Sequence, residues 1–189
     1  MLRRLPLLLG LAILAAGCAK PLEVSNITEI KPHTGSKGLD VYEPKRQAGQ
    51  SAVPEFAGDQ LVEVRTYTYK EDSGEVEIAG ATCSLSAADY SATMQTPAKV
   101  RVPLYRGQSS TLAVACELPG YKKRMVTVSP YDATRSARLG SAAGAGVLGV
   151  VAVTAVDALS DNTKNEWRYP LAYVVLEPEE TGKKVASTQ

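Results

Sequence analysis

The chain has 189 residues, 21 Lys and Arg against 20 Asp and Glu, and a formal charge of +1, with 44% hydrophobic residues. That length suits one domain with an appended segment. Near-neutral charge leaves no electrostatic footprint for nucleic acid, and the Tyr-, Val- and Thr-rich composition, with nine Tyr, favours β structure.

The first 17 residues have the layout of a secretory signal peptide. Arg3 and Arg4 form a positive start, Leu5 to Leu14 an apolar stretch, and Ala15-Ala16-Gly17 a small-residue cleavage site ahead of Cys18. The apolar stretch is too short for an ordinary membrane-spanning helix, which needs about 20 residues. Leu14-Ala15-Ala16-Gly17-Cys18 resembles a bacterial lipobox, with Ala15 where Leu is commonest. The resemblance implies cleavage before Cys18 and acylation of its thiol. Two or more acyl chains hold a protein stably on a bilayer. The alternative is a soluble secreted protein with an incidental Cys18. Ala19 and Lys20 follow, without the Asp that favours inner-membrane retention in enterobacteria. The expected location is therefore the periplasmic face of the outer membrane, with the inner membrane left open.

Residues 18–60 carry Pro21, Pro32, Pro44 and Pro54, several glycines and little periodicity, the composition of a lipid-anchored flexible arm. The lone His33 lies in this arm and reads as solvated. From residue 61 the apolar pattern has period two. Strands are expected at Leu61–Lys70, Glu75–Ile78, Ala81–Ser86, Lys99–Leu104, Thr111–Leu118, Lys122–Ser129 and Leu171–Leu176, with residues 87–97 a polar loop. Seven short strands with frequent turns predict a mainly β fold. The expectation is a small antiparallel β-sandwich over 61–178, with a disordered N-terminal arm, an appended Gly/Ala-rich helical segment and a tail at 179–189.

With Cys18 assigned to lipid, Cys83 and Cys116 remain an even pair in an oxidising compartment. Cys83 is in phase with Leu85, and Cys116 with Leu112, Val114 and Leu118, so both point to the expected core side. A disulfide is expected, the alternative being two buried thiols. The Lys122-Lys123-Arg124 run opens a strand and reads as an exposed edge where charge blocks unwanted pairing; contact with anionic glycan or lipid head groups is the other reading.

Residues 139–160 are rich in Gly and Ala and uncharged from Leu139 to Val156. Gly140 and Gly144, Ala142 and Gly146, and Ala145 and Gly149 are spaced to give a helix small-residue faces. Gly140, Gly144, Gly146 and Gly149 are thus expected at a helix-packing contact. The segment could pack on its own domain, oligomerise or bind a partner, or enter the membrane. Gly144, Gly146 and Gly149 also spell a dinucleotide fingerprint, but no strand precedes it and no βαβ alternation surrounds it, so no cofactor is implied.

The chain has a single His, which makes a Ser-His-Asp arrangement improbable, and no His/Cys cluster has metal-ligand spacing. An enzyme is not expected. Gly80-Ala81-Thr82-Cys83, Thr96-Pro97 and Cys116-Glu117-Leu118-Pro119-Gly120-Tyr121-Lys122 resemble the turn motifs of a PEGA-like domain, over roughly residues 76–129. This chain has Met94-Gln95-Thr96-Pro97 in place of a tight Gly-Thr-Pro turn, and adds two cysteines. The Gly-rich stretch followed by Tyr169-Pro170 is similar to that of uncharacterised proteobacterial lipoproteins. The resemblance implies a small extracytoplasmic sandwich without catalytic residues. The function expected is a non-catalytic binding or structural module of the cell envelope, held to the membrane by lipid, with an envelope protein or glycan as partner. The alternative is a subunit of a membrane-associated assembly that oligomerises or inserts through residues 139–160.

Overall fold

The computed structural model describes residues 20–24, 26–107, 109–143 and 164–179. The signal peptide, Cys18, Gly144, Gly146, Gly149 and the tail beyond Glu179 lie outside the described residues.

Two five-stranded sheets enclose one core. The first is built on β3 (Phe56–Lys70), whose Val62, Val64, Thr66 and Thr68 point inward while Glu63, Arg65, Tyr67 and Tyr69 point outward. One edge of β3 pairs antiparallel with β7 (Ala98–Tyr105) and then, further along, with β4 (Gly74–Ile78). Its other edge takes β12 (Ala172–Val175) in parallel, and β1 (Ile27–Glu29) adds in parallel to β7. Gly58, at φ +108°, sits where the β3–β7 register shifts, a backbone setting that favours glycine.

The second sheet is antiparallel throughout, in the order β2 (Lys31–Pro32), β6 (Tyr90–Gln95), β5 (Thr82–Ser86), β8 (Leu112–Glu117), β9 (Arg124–Val128). Its inward residues, among them Leu85, Tyr90, Met94, Leu112 and Val114, meet those of the first sheet. One side of the sandwich is closed by chain crossing between the sheets. The Lys122 amide donates to the Glu177 carbonyl, 2.8 Å, and the Glu179 amide to the Gly120 carbonyl, 2.8 Å.

The mainly β sandwich agrees with the periodicity, with three differences. Residues 26–60 are part of the domain: they carry β1, β2, the short helix α1 (Glu43–Gln47) and the start of β3. Ile30 and Val41 are buried there, and the Val41 amide donates to the Tyr105 hydroxyl, 3.0 Å. The expected boundary at residue 60 therefore moves toward the N-terminus, because strands of two or three residues gain their pairing from neighbours remote in sequence. Second, residues 90–95 of the expected loop are β6, with Tyr90, Ala92 and Met94 inward. Third, β1 and β12 join parallel at their edges, so the first sheet is mixed.

The helix in the Gly/Ala-rich region begins earlier than expected, as α2 (Ala133–Ala143). A two-stranded ribbon of β10 (Tyr131–Asp132) and β11 (Trp167–Arg168) supports its start. Asp132 accepts the Arg135 amide at 2.8 Å, an N-cap bond, while its other oxygen accepts the buried Asn165 side-chain amide at 2.7 Å.

Candidate functional site

Period-two alternation gives each sheet an outer face of its own chemistry. On the first sheet that face is a lattice of ion pairs. Arg65 reaches Glu63 at 2.9 Å and Glu77 at 2.6 Å, Lys99 reaches Glu63 at 3.4 Å, and Arg101 bridges Glu29 at 3.0 Å and Asp59 at 2.7 Å. The Arg65 guanidinium holds the Glu63 carboxyl below its ordinary range, and Glu63 and Glu77 in turn raise Arg65.

The outer face of the second sheet is the opposite. Register places Thr93, Ser84, Ala115 and Met125 in one cross-strand row, and Ser91, Ser86, Ala113 and Thr127 in the next. These two rows carry no charge; Lys31 and Glu117 stand at the margins. The side chains are short, so the surface is flat, and Met125 is its one large apolar residue, 67% exposed. Such a face can take a broad partner through van der Waals contact and hydroxyl hydrogen bonds without stripping water from charges, and it shares with interface centres the depletion of charged residues.

Beneath this face lie Cys83 and Cys116, opposite one another across the β5–β8 ladder and joined as a disulfide, as their shared phase predicts. Both are fully buried. His33 sits at the rim, its Nε2 3.0 Å from the Ser91 hydroxyl. The basic run is at the β9 edge, with Lys122 and Lys123 paired to Glu177 and Glu117 at 3.6 Å each.

The described residues nearest Cys18 lie on the first sheet. The Leu22 amide donates to Glu77 at 2.8 Å and its carbonyl accepts from Arg65 at 3.0 Å. Lys20, Pro21 and Leu22 line a groove with Tyr67, Glu75, Val76 and Glu77. Tyr67 stacks on Tyr173 with ring centroids 4.3 Å apart, beside Tyr69, which is 65% exposed.

A third cluster occupies one end of the sandwich. Tyr42 donates to Asp89 at 2.6 Å, and Tyr105 to Asp40 at 3.3 Å; Tyr169 bonds the Ser110 carbonyl. Burial, and for Tyr42 the Asp89 carboxylate, pushes Tyr42 and Tyr105 up to about 12. Burial also raises Tyr90 and Tyr169. Neutral Tyr42, Tyr105 and Tyr169 are thereby kept as donors, and Tyr42 and Tyr105 tie α1 and the turn before it to the sheets.

Of the expected helix-packing glycines, only Gly140 is described. It is exposed, and a Cβ there would meet nothing within 4 Å. Gly140 therefore makes no close approach to another described element, because α2 turns this position to solvent. Among the described residues no three His, Cys, Asp or Glu side chains converge as metal ligands, and no helix is long and apolar enough to cross a membrane. The uncharged second-sheet face escaped sequence reading because it joins residues from four strands; the outward Ser/Thr/Ala positions of each strand were the only available signal. No family model matches the chain, nor does any curated protein or solved structure.

Proposed function

We propose that this chain is a cell-envelope lipoprotein, anchored through Cys18, whose sandwich serves as a non-catalytic binding or structural module. The observation that carries the reading is the flat, uncharged outer face of the second sheet, set against the ion-paired face of the first. A surface exposed only to water has no need to exclude charge from two adjoining rows of four strands. The buried disulfide suits an oxidising compartment, and the lipobox-like Leu14–Cys18 stretch suits delivery to one. The partner class is an envelope protein or glycan with a flat polar surface. Membership of an assembly formed through residues 139–160 stays as the other reading, and residues 144–160 lie outside the described residues.

Site-specific photocrosslinking in intact envelopes tests this. A crosslinker at Ala115 should capture a discrete partner, and one at Arg101 should not. Introducing Ala115→Glu alongside a crosslinker at Thr93 should weaken capture at least several-fold while leaving the fold intact, since Ala115 is half-buried and points to the outer side of the sheet, away from the core. Absence of capture from either row of the face, or equal capture from Arg101, would contradict the reading.

A further inference from the structure

The N-terminal segment is pinned to one face of the domain, and this fixes more than attachment. Leu22 is bonded through both backbone groups to the Arg65–Glu77 pair on the outer face of the first sheet. Only Ala19 separates Cys18 from Lys20, two residue steps with a reach of at most about 7 Å. A lipid on Cys18 must therefore leave the molecule beside the β3–β4 hairpin and β12. The residues exposed there are Leu22, 39%, Tyr69, 65%, and Tyr173, 39%, with Tyr67 stacked on Tyr173. Tyrosine pairs an apolar ring with a polar tip and is favoured at the headgroup level of bilayers. The same end of the hairpin bears Glu71, Asp72 and Glu75. These acids, offset there only by Lys70, are repelled by an anionic surface, which leaves a zwitterionic one for the tyrosines to meet.

We propose that the Tyr67–Tyr69–Tyr173 end of the first sheet seats on the zwitterionic headgroup surface of the bilayer, turning the uncharged face of the second sheet away from the membrane. This rests on the lipid-anchor reading. The docked tether sets the orientation, and the tyrosines supply the contact. The second sheet then stands roughly 10 Å further out, the spacing of packed sheets, with its face open to a partner.

The test uses the full chain, expressed with its own signal and reconstituted from membranes into phosphatidylcholine vesicles carrying a nitroxide on the headgroup. Two variants, Tyr69→Trp and Ser84→Trp, each with Trp167→Phe, report quenching from opposite faces. If Trp167→Phe lowers the yield of folded protein, the substitutions are read over the Trp167 signal of the parent chain. Quenching at position 69 at least twofold greater than at 84 is expected. Inserting about 20 Gly and Ser residues between Lys20 and Pro21 should bring the two values together. Flotation and intact mass on the same samples report the anchor separately. Acylated, floating protein with equal quenching at both positions overturns the seating alone, and a difference that survives the insertion overturns the tether's part in setting the orientation. Protein without lipid overturns the anchor and the seating with it.

Discussion

Replacing both Cys83 and Cys116 with Ala should cost the domain about 5–6 kcal/mol. The disulfide closes a sequence separation of 33 residues. That loop contains β6, which pairs with β5, and β7, which pairs with β3 in the opposite sheet, so the bridge restrains a stretch of chain that crosses the sandwich. The chain-entropy relation gives about 4 kcal/mol for a loop of this size. Both sulfurs are fully buried, and their removal leaves small voids that add roughly 1–2 kcal/mol. Urea denaturation of a version beginning at Ala19 measures the difference, with tyrosine emission and far-UV dichroism as independent probes. The midpoint should fall and the slope should steepen, because an unbridged denatured chain exposes more surface. A loss under 1 kcal/mol with an unchanged slope would refute the reasoning, showing that the ladder alone supplies the order attributed to the bridge.

Three further outcomes follow from particular side chains. The Thr68 hydroxyl is buried without a hydrogen-bond partner among the described residues. Thr68→Val, which keeps its shape, should raise stability by about 1 kcal/mol in the same urea assay, and a loss would show that the hydroxyl is satisfied. Asp132 caps α2 and holds Asn165, so Asp132→Ala should cost about 1–3 kcal/mol and increase amide exchange in the first turn of α2. Tyr42 and Tyr105 are raised from 10.0 to about 12 in the folded protein, chiefly by burial. Their protonated forms favour the folded state, so this contribution is complete below pH 10 and is lost as pH rises toward 12. Tyrosinate absorbance should therefore show a late-titrating class that joins the early one once the protein is unfolded. A single transition near pH 10 in the folded protein would contradict this.

Legibility of the fold in the sequence followed strand length. The long β3, the 112–117 strand and the core phase of the two cysteines each hold enough alternating positions to set a face without help from neighbours. β1 and β2, of three and two residues, are too short to show a period, and exist because β7 and β6 offer edges to them. β6 was concealed by its small and hydroxylated residues: only Tyr90 and Met94 mark its inward side strongly, with Ala92 between them. The start of α2 did have a signal, since Asp132 precedes Ala-Thr-Arg as an N-cap would, but the glycines further on dominate the pattern of that region. The contrast between the two outer faces was beyond sequence reading for another reason. It depends on register, which sets Ser84 beside both Thr93 and Ala115 and sets Arg101 within reach of Glu29 and Asp59.

Anchoring and orientation both turn on the fate of Cys18, because the docked Leu22 gives orientation to the molecule only if a lipid sits two residues before Lys20. The deciding measurement is the intact mass of the protein extracted from membranes, with fragmentation to localise any modification. A chain lacking residues 1–17 and carrying a diacylglyceryl group on Cys18 is the predicted result, lost together with membrane retention in Cys18→Ser. A chain that keeps its membrane association with an unmodified Cys18, or is released into the soluble fraction without lipid, would contradict it.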